Sequence, residues 1–183
     1  PVSRVTFNDE GGAYQVTKHL IETGCKRVMY VSGPEDLYIS KKRKEGYLNA
    51  LKEFGIAPET ELVKISDLTT QGNIQVGKEI AEMKTRPDGV FCMIDPVALD
   101  ILSYWKSIGI KVPEDMALAG FTNNPTSAVV EPPLTTVAQP GYEMGKLAVT
   151  HLLDQLDGIA SDDPISIVLE TTLIPRQSSK VFK

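Results

Sequence analysis

The run GVFCMI at residues 89–94 carries no charged or amide side chain on either of its faces. Strand side chains alternate between two faces, so such a run is shielded on both, as in a parallel strand held between two helical layers. The rest of the chain has the matching rhythm. Short β-rich runs (RVTF 4–7, RVMYVS 27–32, ELVKI 61–65, MALAGF 116–121, LTTVA 134–138, ISIVLETTLI 165–174) alternate with stretches of helical period. Ala13, Val16, Leu20 and Ile21 mark a helix over about 9–23 that Gly24 stops. Tyr47, Ala50, Leu51 and Phe54 mark one starting at Ser40, and Val76, Ile80 and Met83 mark one ended by the Arg86-Pro87 step. Ala98, Ile101, Leu102 and Trp105 form a fourth stripe. A fifth helix runs from Pro140 to about Asp157, with Ala148, Val149, Leu152, Leu153 and Leu156 on its apolar face. The stretch NNPTSAVVEPPL is too proline-dense for regular structure, and the tail QSSKVFK reads as loose. Repeated strand–helix units predict an α/β fold: a doubly wound parallel sheet with helices on both faces. Ligands in such folds sit beyond the carboxyl ends of the strands, here Gly33–Ser40, Ser66–Thr70, Ile94-Asp95 and Thr122–Pro125.

Composition removes several functions. The net charge of −5 makes the 183-residue chain a poor general binder of phosphate backbones. No apolar run approaches the ~18 residues of a membrane span, and the sequence does not open on a secretory signal pattern. Cys25 and Cys92 are too far apart for a CxxC motif and read as buried filler. His19 and His151 lie within helical periodicity with no second ligand at metal spacing. No nucleophile elbow, phosphate loop or dinucleotide fingerprint is present. The expectation is a chain with no catalytic residue, no metal and no cofactor, and not an enzyme.

Five stretches together resemble the lactose-repressor/galactose-repressor (LacI/GalR) family of transcriptional regulators: NDEGGAYQVTKHLIETGCKRVMYVSGP (8–34), RKEGYLNALKEFGI (43–56), RPDGVFCMIDPVAL (86–99), IGIKVPEDMALAGFTNNP (108–125) and PPLTTVAQPGYEMGKLAVTHLL (132–153). Their order and spacing cover nearly the whole chain. The resemblance implies a periplasmic-binding-protein-like (type I) architecture. It identifies the chain as a C-terminal fragment of the effector-binding core, without the DNA-reading headpiece and the first of two lobes. By that likeness residues 1–139 are the second lobe, 140–157 the helix that crosses to the first lobe, and 158–183 a final strand and tail returning to the second. The implied function is an effector-binding and dimerisation module, cytoplasmic, sensing a sugar-like small molecule, with operator DNA contacted only through the headpiece. The alternative is a periplasmic solute-binding protein of a transport or chemoreceptor system.

The likeness also nominates residues. Arg43 matches an arginine that reaches into the cleft toward the effector. On charge alone, Lys41 to Lys44 form a solvated basic face, but four cations near a helix start oppose its dipole, which an anion would relieve. Asp95 either caps the next helix or binds effector hydroxyls. Thr122 stands where the family usually has a ligand-binding aspartate, Ile94 where it often has asparagine, and Phe7 where an aspartate is frequent. Those departures leave room for a less polar or an acidic effector. Ile39 and Leu68 match cleft-lining positions, and Leu99 and Val130 match positions at the subunit interface; ordinary core packing would explain any of the four.

Overall fold

In the computed structural model, residues 2–161 and 163–179 are described. Eight strands and six helices follow in chain order: β1 (Arg4–Phe7), α1 (Asp9–Glu22), β2 (Val28–Ser32), α2 (Tyr38–Glu53), β3 (Val63–Ile65), α3 (Thr70–Glu82), β4 (Gly89–Cys92), α4 (Asp95–Ser107), β5 (Ala117–Ala119), α5 (Thr126–Val129), β6 (Thr136–Ala138), α6 (Gly141–Leu156), β7 (Ser166–Leu169) and β8 (Thr172–Ile174).

The central sheet is parallel, with strand order β3-β2-β4-β5. A parallel bridge from Ala119 to Thr135 carries it on to β6, which pairs antiparallel with β8. Every residue of β2, β4 and β5 is buried, as the apolar GVFCMI run demands. Side chains alternate between two cores. Met29, Val31, Val90, Cys92 and Leu118 pack with α3 and α4 around Trp105, whose indole N–H donates to the Gly77 carbonyl at 2.9 Å. Val28, Tyr30, Phe91, Met93 and Ala119 pack with α1 and α2. These two helices meet tightly at Gly46, where a Cβ would stand 2.1 Å from the Glu10 carbonyl oxygen. The order reverses between β2 and β4, so a crevice opens at their carboxyl ends.

Several sequence expectations are corrected. The 165–174 run is not one strand: β7 pairs with β1 and β8 with β6, and Glu170-Thr171 joins the two sheets. β1 accordingly sits outside the central sheet, beside β7 and α6. α2 begins two residues early, at Tyr38, which leaves Lys42 to Lys44 beyond its first turn. The proline-rich stretch contains one helical turn, α5. Nor is the start of the tail loose. Ser178 and Ser179 are fully buried, because the Ser178 hydroxyl donates to the Leu118 carbonyl (2.6 Å) and Ser179 Oγ lies 2.6 Å from Thr135 Oγ1. The remaining tail residues, 180–183, lie outside the described ones.

Candidate functional site

The crevice is built around a buried ion pair. Arg43, on the inner face of α2, is 1% exposed. Its Nε and Nη2 both lie 2.7 Å from Asp9 Oδ1, its Nη1 donates to the Met93 carbonyl, and its guanidinium carbon sits 3.8 Å from the centre of the Phe121 ring. The close α1–α2 approach at Gly46 brings Asp9, at the amino end of α1, within reach. The anion that the basic run called for is therefore supplied from within the chain. Burial pushes the Arg43 pKa down, against the pull of Asp9, and the stacked ring adds a cation–π contact.

Asp95 follows β4 at the opposite wall and is fully buried. It does not cap α4. The residue at the cap position is Ile94, and the Asp95 carboxylate is taken up by the loop beyond β5. Its Oδ2 accepts from the Asn124 N–H (2.7 Å) and the Ser127 hydroxyl (2.8 Å), and its Oδ1 from the Thr136 hydroxyl (2.6 Å). These three bonds make Asp95 a brace that holds residues 122–127 in place. The brace has strain to contain: Thr122 and Asn123 both have positive φ, 119° and 49°, a region where a β-branched residue is an outlier. Thr122 N–H donates to the Val137 carbonyl, and Asn123 Oδ1 accepts from Arg176 Nη2.

Ile39 lines a cavity of about 370 Å³ together with Phe7, Asp9, Tyr38, Met144 and Val168. Leu68, at φ 66°, packs over Gly33 at the end of β2. Leu99 and Val130 are partly buried against the α3–α4 core, and Val129 beside them is exposed. Both cysteines are buried, and burial raises the Cys25 thiol pKa to about 12, so neither is poised as a nucleophile. No group of three metal-ligating side chains occurs among the described residues, and no helix there is long and apolar enough to cross a membrane. Sequence reasoning missed Asp9, Phe121 and Arg176. No local pattern links them to the positions they serve, although the basic run did signal that an anion was needed.

The model of the periplasmic binding protein-like domain family matches residues 17–179. The chain belongs to that family. Its curated relatives are LacI-type regulators. The transcriptional repressor CytR of Escherichia coli is 37% identical over 146 residues, 80% of this chain and 43% of that protein. The regulator CelR of Thermobifida fusca is 34% identical over 177 residues, 97% of this chain and 52% of that protein. The structure of a CelR–cellobiose complex superposes with a TM-score of 0.89 at 34% identity, covering 97% of this chain and 54% of that one. This periplasmic binding protein-like domain thus spans about half the length of the curated relatives it matches. Within it, Arg43 reaches the Met93 carbonyl just past β4, and the cavity at Ile39 lies among β1, β7 and the amino ends of α1, α2 and α6.

Proposed function

We propose that this chain is the effector-binding and dimerisation module of a LacI-type transcriptional regulator, working in the cytoplasm and catalysing no reaction. The observation that carries the reading is the crevice itself. A buried, pre-oriented arginine stands at the sheet's switch point beside a cavity whose far wall comes from β1, β7 and α6. Elements from both sides of the crevice line it, so a small molecule bound there would hold them in one arrangement and shift the population toward that state. The exposed face of α6 is where the other half of the relatives' length would pack. Leu99 and Val130, flanking the exposed Val129, would form the contact between subunits. CelR's complex with cellobiose supports a small-molecule effector.

The test joins this chain to a DNA-reading headpiece and first lobe of the LacI type. The chimera should bind operator DNA in a gel shift, and effector should change that binding. The chain by itself should give no salt-resistant, sequence-selective shift, since its net charge of −5 repels the phosphate backbone. A selective shift by the chain alone overturns the reading. So does an upstream reading frame encoding a secretion signal, which would favour a transport-linked binding protein.

A further inference from the structure

The loop after β5 holds a conformation that its own residues resist. Thr122 and Asn123 stand at φ 119° and 49°, a region that asparagine tolerates and a β-branched residue does not. Three backbone amides anchor the loop to its surroundings. Thr122 N–H donates to the Val137 carbonyl (2.8 Å), Asn123 N–H to the Thr136 hydroxyl (3.1 Å) and Asn124 N–H to Asp95 Oδ2 (2.7 Å). A fourth contact comes from far along the chain. Arg176 Nη2 donates to Asn123 Oδ1 at 2.9 Å, across 53 positions of sequence, and Nη1 of the same guanidinium donates to the Leu134 carbonyl at 2.6 Å. A planar guanidinium held at two points cannot swing, so it fixes the Asn123 side chain relative to Leu134.

The segment that carries Arg176 is itself pinned. Its N–H donates to Thr135 Oγ1 at 2.7 Å, and that hydroxyl donates back to the Arg176 carbonyl at 3.1 Å. Ser178 Oγ accepts from the Thr135 N–H (2.8 Å) as well as donating to Leu118. These bonds lie over the seam between β5 and β6, where the bridge from Ala119 to Thr135 joins the two. On the other side of the loop, Phe121 covers the Arg43 guanidinium, and its carbonyl accepts from the Asp95 N–H at 2.8 Å. We propose that Arg176 is a positioning residue of the crevice. From a buried anchor at residues 178–179 it holds Asn123, and with it the left-handed turn between Phe121 and the Asp95 brace. The inference rests on the reading of this crevice as the effector site.

Amide exchange on the unaltered chain and on Arg176→Met, Asn123→Gly and the double variant tests this role. Arg176→Met keeps an extended apolar stem and removes both donors. It should speed exchange at Thr122, Asn123 and Asn124 by roughly 10- to 100-fold, the value of a charge-assisted hydrogen bond in a local opening. Val31, Phe91 and Leu118, fully buried in the central sheet, should exchange as before. Glycine accepts φ 49° without strain and offers no acceptor, so on the Asn123→Gly background Arg176→Met should change the loop by less than about 2-fold. A further measurement needs no variant to fold. Nuclear magnetic resonance of the unaltered chain should resolve separate Arg176 Nη–H signals, because two bonds stop the guanidinium from rotating. Loop amides unmoved by Arg176→Met, an equal rise at the sheet amides, an undiminished effect on the Asn123→Gly background, or Nη–H signals merged by free rotation would each overturn the role. Any of these would leave the effector reading standing, since the chimera tests that separately.

Discussion

A guanidinium at the depth of Arg43 loses most of its hydration, at a cost of several kcal/mol that only close partners offset. Asp9 and the Met93 carbonyl are those partners, and the Phe121 ring covers the remaining face. An arginine that only reached into the cleft could be removed with little loss of stability. The buried pair changes that expectation. Removing the arginine strands the Asp9 carboxylate in a site that is 8% exposed, and such broken pairs cost about 3–5 kcal/mol. Urea unfolding should show that loss for Arg43→Ala, and the double variant Asp9→Leu with Arg43→Met should regain much of it, because no unpaired charge remains. A single-variant loss below about 1 kcal/mol, the range of a surface pair, would mean that the pair is not buried in solution. Arg43 was legible through its motif, whereas Asp9, 34 positions away, had no such signature, because its role arises only where α1 crosses α2.

Helix periodicity was the most legible feature at the scale of elements, since α1, α3, α4 and α6 begin or end within a residue or two of where their apolar stripes place them. What periodicity could not show is which sheet a strand joins. ISIVLETTLI reads as one β-rich run, yet β7 and β8 part company at Glu170-Thr171 because their partners lie in different sheets. α6 shows the same limit in a different way. Its stripe is real, but no residue of the helix is buried, and Leu152 and Leu153 are 55% and 52% exposed. Each large apolar side chain left in water forgoes ~1.5–3 kcal/mol, so the isolated chain should associate through this face. Light scattering should report a dimer or larger. Leu152→Glu with Leu153→Glu should give a monomer that melts no earlier, and a monomeric unaltered chain would disprove the association. A second test concerns the tail. His19 Nε2 lies 2.8 Å from Ser179 Oγ, and burial lowers the His19 pKa below its ordinary 6.5. A depressed histidine takes up its proton more readily when unfolded, so its contribution is fully present above pH 6.5 and is lost as pH falls toward the folded value. His19→Gln should flatten stability between pH 6.5 and that value; an unchanged slope would rule His19 out as its source.

At the scale of the whole molecule, the central sheet and the β1–α6–β7 group differ in kind. β2, β4 and β5 are shielded on both faces, while β1 and β7 alternate exposed and partly buried residues and α6 has no buried residue at all. Amides with few buried neighbours exchange through local opening, well below the global unfolding free energy. Hydrogen exchange should therefore protect β2, β4 and β5 most and β1 and β7 least, and equal protection of the two groups would contradict the division. The pairing of β1 with β7 also constrains how the chain is made. Arg4 meets Ser166, 162 positions later, so β1 leaves the ribosome long before its partner exists. At roughly 5–20 residues per second, that wait is on the order of ten to thirty seconds. An apolar strand waiting that long would be an invitation to mispair, and Arg4 and Thr6, alternating with Val5 and Phe7, give β1 a water-compatible face to present until β7 arrives.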